Sequence, residues 1–173
     1  TGLNGHELVR ASKLSAKVDN TAIQDGYQLY LHNFILADNG SWSVVQQGMH
    51  ETDGTARRYH WHSGNIKSFI EEPHTGINGI SRGRILNLTD AHASENRQGI
   101  LDISQTDSID VMKDFSRLIL PAHHDVQASD VDLKRLGALL YMTREQQPQN
   151  FEDLLMLEGV GPRTMQSLAL VSE

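Results

Sequence analysis

Histidines and carboxylates in the middle of the chain are the first residues whose types and spacing could do chemistry. His60 and His62 flank a tryptophan, so on a β-strand their imidazoles would lie on one face. Two imidazoles at that spacing suit one metal ion, and Glu72 and His74 could add ligands if the next strand pairs with this one. We therefore predict a divalent metal site, for Mg, Mn or Zn, at His60, His62, Glu72 and His74. The alternative is a polar surface that faces phosphate.

A second set of residues could serve phosphodiester hydrolysis. Many metal-dependent nucleases place an acid at or before one strand and Glu/Gln-x-Lys on the next, where the carboxylates hold Mg²⁺ and the lysine helps to activate water. Asp19 and Asp25 precede a predicted strand and Gln47 lies on the following one, so they are the candidate catalytic residues. That second strand carries no lysine. Alternatively, Asp25 begins a turn with Gly26 and the glutamine is an ordinary polar strand residue.

Residues 151–173 have the pattern of two short helices joined by a tight turn. An apolar helical run stops at Gly159-Val160-Gly161, and Pro162 suits the first turn of a second helix. The pattern resembles the helix-hairpin-helix motif of DNA-repair and recombination proteins, in which the glycines let the backbone approach a phosphate and N–H groups of the second helix bind it. The alternative is a packing unit. The candidate DNA-binding residues of this segment are Gly159, Val160, Gly161, Arg163 and Thr164.

The charge is distributed unevenly along the chain. The net charge of −7 argues against a general nucleic-acid coat, because phosphate binding depends on Lys and Arg. Residues 55–85 carry five basic and two acidic side chains, whereas residues 125–173 carry eight acidic and four basic ones. A hairpin in acidic surroundings should bind DNA weakly by itself. We therefore add Arg57 and Arg58 to the predicted DNA surface.

The composition limits the class of protein. The chain has 173 residues, of which 38% are hydrophobic, and this suits one domain or two small ones. It has no cysteine, which excludes disulfides and thiolate metal sites and favours the cytoplasm. No apolar run is long enough to cross a bilayer, so no membrane partner is expected.

The hydrophobic pattern predicts an α+β fold. An antiparallel sheet with flanking helices should occupy residues 1–125, and an all-helical unit with the helix-hairpin-helix should occupy residues 126–173. The sheet should begin with a hairpin that turns at Asn39-Gly40. The predicted strands are residues 27–37, 41–49, 56–62, 68–72 and 85–88, and the predicted helices include residues 7–18 and 107–118 and one that opens at Ser129.

Six segments, in order and nearly end to end, resemble the bacterial and archaeal family called domain of unknown function 763. They are LVRASKLSAKVDNTAIQDGYQLYLHNFI, WSVVQQGM, ARRYHWHS, SFIEEPHTGI, ILNLT and FEDLLMLEGVGPRTMQSLAL. The resemblance implies DNA transactions through the helix-hairpin-helix. Members of that family are longer, with a further N-terminal portion, so this chain is expected to be a C-terminal fragment.

Two classes of function follow. The first is a DNA-binding protein of repair or processing that forms part of a metal-dependent nuclease. The second is a non-catalytic DNA-binding or assembly module that serves a partner, for which the missing N-terminal half is one candidate.

Overall fold

A computed structural model describes residues 4–81, 85–117 and 133–172. The chain divides into two compact units, Thr1–Ala93 and Ser94–Glu173. The first unit contains both β-sheets, and the described residues of the second form helices and turns. The α+β class is therefore confirmed. The division falls after Ala93 rather than at residue 125, because the helices of residues 94–117 contact the C-terminal helices.

The first unit begins with helix α1 (Gly5–Lys17), which continues into a π-helical turn (Val18–Ala22). A short 3₁₀ turn (Ala91–Ala93) ends the unit. Between them, the described residues form six strands: β1 (Ile23–Gln24), β2 (Gln28–Leu36), β3 (Trp42–Met49), β4 (Ala56–His62), β5 (Gly76–Asn78) and β6 (Leu86–Asn87).

Four of the strands form an antiparallel sheet in the order β2-β3-β4-β5, and β1 pairs with β6 in a separate antiparallel ribbon. The predicted turn at Asn39-Gly40 joins β2 to β3, with Gly40 at a φ of 87°. The predicted strand at residues 68–72 is wrong. There the Ser68 hydroxyl accepts the backbone N–H groups of Ile70 and Glu71, both at 3.0 Å, which competes with pairing to a strand.

The two faces of the sheet differ in burial. Val44 lies opposite Trp61 and Gln46 opposite Tyr59, and all four side chains are buried. We call their side the inner face; helix α1 buries Leu14 and Ser15 and contacts β3 beside them. Side chains alternate along a strand, so the residues between these, including His60 and His62, belong to the opposite, outer face.

The second unit contains five helices among its described residues: α2 (Ser94–Gln105), α3 (Ser108–Arg117), α4 (Leu133–Gln146), α5 (Phe151–Met156) and α6 (Pro162–Val171). The sequence does not predict α2, because two of its buried positions, Arg97 and Ser104, are polar and hide the apolar period. The predicted start of α4 at Ser129 lies outside the described residues. Among the helices of the described ranges, none has the length and apolar character to cross a membrane.

Candidate functional site

Asp19 lies in the π-helical turn after α1 and has no exposed surface. Trp61 Nε1 donates a hydrogen bond of 2.9 Å to Asp19 Oδ2, and Gln46 Nε2 donates to the same oxygen. His74 Nε2 donates a hydrogen bond of 2.5 Å to Asp19 Oδ1. Burial raises the pKa of the Asp19 carboxyl, and the hydrogen bonds from His74, Trp61 and Gln46 oppose that rise. π-Helical turns of this kind are frequent at functional sites.

Hydrogen bonds continue from Asp19 to the surface of α1. Gln46 Nε2 also donates to the Ser15 carbonyl at 3.1 Å, and Gln46 Oε1 accepts from His32 Nδ1 at 2.9 Å. The Ser12 hydroxyl then donates to His32 Nε2 at 2.9 Å. These bonds fix the orientation of the Gln46 amide and, through it, of the Asp19 carboxylate.

The side chain of His74 is 7% exposed and packs edge-on against the Trp61 ring, with 4.7 Å between ring centroids. It lines an open cleft of about 460 Å³. Nε2 of the ring is held by Asp19, and within the described residues no hydrogen bond reaches its Nδ1. The other lining residues are Glu72, Gly76, Ile77, Asn87, Thr89 and Asp90.

Asp25 forms a separate cluster on the inner face. Its Oδ1 accepts the backbone N–H of Tyr27 at 3.2 Å across Gly26, whose φ is 83°. Its Oδ2 accepts the Tyr59 hydroxyl at 2.7 Å and lies 3.0 Å from Arg57 Nη1. Burial, followed by the Asp25 carboxylate, raises the pKa of Tyr59 well above its usual range. Asp25 therefore begins a turn and pairs with Arg57, whose side chain is 13% exposed.

The structure does not bring the three predicted catalytic residues together. Asp19 and Asp25 share the inner face but bind different partners, and Gln47 lies on the outer face, where its Oε1 is 3.4 Å from Arg58 Nε. The glutamine beside Asp19 is Gln46, one position earlier. Sequence reasoning missed Gln46, although the alternation of Tyr59 and Trp61 along β4 indicates which face is buried.

The predicted metal set is also divided. His60 and His62 lie on the outer face, whereas His74 lies on the inner face with Asp19. Glu72 is exposed at a φ of 43°, in a turn rather than on a strand paired with β4. In the part of the chain that the structure describes, no three His, Asp or Glu side chains stand grouped for a metal ion. The four predicted residues therefore do not form one centre.

Helices α5 and α6 are joined by a tight turn, as the sequence predicts. The Asn150 side chain caps α5 by accepting the Asp153 N–H at 2.9 Å. Gly159 has a φ of 84°, which favours glycine. Val160 is 1% exposed and anchors the turn in the core of the second unit. Gly161 is the N-cap of α6 with an extended φ of −139°.

The predicted DNA-binding side chains differ in their exposure. Arg163 and Arg58 are exposed. Arg57 is 13% exposed and paired with Asp25. Thr164 is 9% exposed, and its hydroxyl donates back to the Gly159 carbonyl at 3.4 Å, a long contact that closes the turn. Of the predicted set, only Arg58 and Arg163 offer exposed charge to a phosphate.

Comparison with known protein families gives a match along the whole chain. Residues 1–173 match the family described as Protein of unknown function (DUF763), and the chain belongs to that family. No curated protein and no solved structure matches the chain. The expected family is confirmed, and its description assigns no activity.

Proposed function

We propose that the protein binds the phosphate backbone of DNA and acts in DNA repair or processing. The binding element is a helix-hairpin-helix made of α5, the turn at residues 157–161 and the first turn of α6. Metal-dependent nuclease activity is not part of this proposal, because Asp19, Asp25 and Gln47 do not form one site.

Gly161 is the observation that carries the proposal. Its φ of −139° is open to any residue, and a Cβ added there would meet no described atom within 4 Å. Neither the backbone conformation nor the packing of the described residues requires glycine at this position. A glycine also allows an external group to approach the backbone closely, and a phosphate bound at the start of a helix is such a group.

The start of α6 supplies hydrogen-bond donors beside Gly161. The Met165 N–H bonds to the Gly161 carbonyl at 2.9 Å, so the preceding N–H groups of Arg163 and Thr164 have no acceptor within the helix. The exposed Arg163 side chain adds one positive charge next to these groups. Glu158 is exposed on the same turn, so we expect backbone amides to contribute more to DNA affinity than side-chain charge does. Such binding should be weak and should not depend on the DNA sequence.

Gly161→Ser tests the proposal. Serine is a favourable N-cap. Its hydroxyl oxygen would accept a hydrogen bond from the same backbone N–H group that would otherwise bind a phosphate, so the free energy of unfolding should stay equal or rise. Affinity for a labelled DNA duplex, measured by fluorescence anisotropy, should fall about tenfold or more, as expected when hydrogen bonds to a charged group are lost. Gly5→Ser is the matched control, since Gly5 also starts a helix and faces open space. Equal DNA affinity of the two variants would contradict a phosphate contact at Gly161.

A non-catalytic assembly module is the second candidate, and strand β2 favours it. In the described sheet β2 is an edge strand with no charged residue, and Tyr30, Leu31, Ile35 and Leu36 are all at least 39% exposed. Uncharged apolar edges of this length pair readily with other strands. Light scattering of the full chain and of Ile35→Lys would show whether β2 joins copies of the chain.

A further inference from the structure

We propose that the cleft beside His74 binds a divalent transition-metal ion, such as Mn²⁺ or Zn²⁺, with His74 Nδ1 as its nitrogen ligand. Glu72 and Asp90 supply the carboxylate ligands and water completes the shell. This site differs from the predicted one, because it excludes His60 and His62 on the outer face. It rests on a different observation from the DNA-binding turn and stands whether or not that turn binds DNA.

The orientation of His74 is the first reason. Histidines that bind metals commonly donate their other ring N–H to a carboxylate, which fixes the tautomer and the ring orientation. His74 Nε2 donates to Asp19 in this way, and Asp19 is itself held by Trp61 and Gln46. A proton on Nε2 leaves the lone pair of Nδ1 free to bind a cation. The carboxylate and its supporting donors thus form the outer shell that a metal-binding histidine needs.

The surroundings of Nδ1 are the second reason. The His74 side chain is only 7% exposed, yet within the described chain no hydrogen bond reaches its Nδ1, and the ring lines the cleft. Among the described residues, the lining includes the carboxylates of Glu72 and Asp90 and the amide of Asn87, and it has no lysine or arginine. Such a lining attracts cations and repels phosphate. Oxygen donors with one imidazole suit Mn²⁺ or Zn²⁺.

The backbone of Glu72 is the third observation. Glu72 has a φ of 43°, which is uncommon for a residue other than glycine, and its N–H donates to the Thr89 carbonyl at 2.9 Å. This bond joins the two lining segments, so both carboxylates stand at the same cleft. Because no three ligands are already grouped among the described residues, the ion must draw the exposed Glu72 side chain inward.

Isothermal titration of the full chain with Mn²⁺ and with Zn²⁺ tests the site. Glu72→Gln should weaken binding by at least about tenfold, the lower bound for loss of an outer-shell partner. Glu71→Gln is the matched control, because Glu71 is an exposed neighbouring carboxylate that does not line the cleft. It should change affinity less than twofold. Both substitutions lie at exposed positions, so the variants should fold.

A His60→Ala, His62→Ala double variant separates this site from the histidines of the outer face. It should bind the ion like the wild type. Binding that survives Glu72→Gln, or that is lost in the histidine double variant, overturns the assignment. So does an equal loss in Glu71→Gln and Glu72→Gln, which would indicate general attraction of cations, and so does the absence of binding by the wild type.

Discussion

His74 Nε2 lies 2.5 Å from Asp19 Oδ1, and this contact joins residues 55 positions apart in the sequence. The carboxylate has no exposed surface, whereas the imidazole forms part of a cleft wall. A charged group is costly to bury unless it is hydrogen-bonded, so the donors around Asp19 must stabilise the fold as well as orient His74.

Trp61→Phe should destabilise the first unit by about 2–4 kcal/mol. The change removes the indole N–H that donates to Asp19 at 2.9 Å and leaves a small cavity at a residue that is 1% exposed. Trp42→Phe is the control, because Trp42 stacks on Phe34 and Phe69 but does not contact Asp19. Urea denaturation followed by circular dichroism would measure both. If the two variants lose equal stability, the Asp19 bond contributes little.

Arg57→Ala should cost about 3 kcal/mol of unfolding free energy, whereas Arg58→Ala should change it by less than about 0.5 kcal/mol. Arg57 lies 3.0 Å from the buried Asp25 carboxylate and 5.9 Å from the Tyr27 ring, but Arg58 is exposed on the outer face. Removing Arg57 leaves Asp25 buried with fewer compensating groups. Urea denaturation of the two single variants, neighbours in sequence, decides whether the inward arginine is structural.

The strands of the sheet show what the sequence could predict. The prediction of residues 56–62 coincides with β4, because Tyr59 and Trp61 alternate with polar residues and the alternation sets both the strand and its buried face. In β3, the prediction of which side chains face inward depends on the register of its pairing with β4. An error of one residue led to the choice of Gln47, on the outer face, in place of Gln46, which binds Asp19.

The candidate site could be predicted only in part. Asp19 and His74 were both among the predicted residues, but with different partners. Their pairing depends on a π-helical turn and on a segment that forms turns around Ser68. Neither kind of structure produces a regular hydrophobic pattern in the sequence. The position of Gly161 was predictable from its spacing to Gly159 and Pro162, because turn and capping chemistry is local.

Gly159→Ala should destabilise the second unit by about 1–3 kcal/mol, the usual cost of a non-glycine residue held in a strained conformation. The φ of Gly159 is 84°, and a Cβ there would come within 3.3 Å of Leu139 Cδ1. Gly161→Ser, at an extended φ, should not lower stability. Thermal unfolding of both variants would compare the two glycines, and a larger loss for Gly161→Ser would contradict their assigned roles.

Asp107 should stabilise the second unit at neutral pH and lose that effect in acid. The backbone N–H of Ile109, followed by the Arg144 side chain, lowers the pKa of the Asp107 carboxyl. A group with a lowered folded pKa contributes stability above its unfolded value, about 3.9, and loses it as pH falls through the folded pKa. Asp107→Asn keeps a capping oxygen but removes the charge, so its deficit against wild type should shrink below about pH 4. A deficit that does not change with pH would exclude the carboxylate charge as its cause.

The salt dependence of DNA binding should show which arginines touch phosphate. Each Lys or Arg contact contributes about 0.9 to the slope of log affinity against log salt concentration. Arg163 is exposed beside the turn, so Arg163→Ala should flatten the slope by about 0.9. Arg57 is committed to Asp25, so Arg57→Ala should leave the slope unchanged, and Arg58→Ala should flatten it by up to about 0.9.

Titrations of the wild type and the three single variants at several salt concentrations would separate these contributions. An unchanged slope for Arg58→Ala together with a flatter one for Arg163→Ala would confine the DNA surface to the second unit, since Arg58 belongs to the first. A flatter slope for Arg57→Ala would contradict the prediction, because an arginine paired with Asp25 can release counterions only if that pair opens when DNA binds.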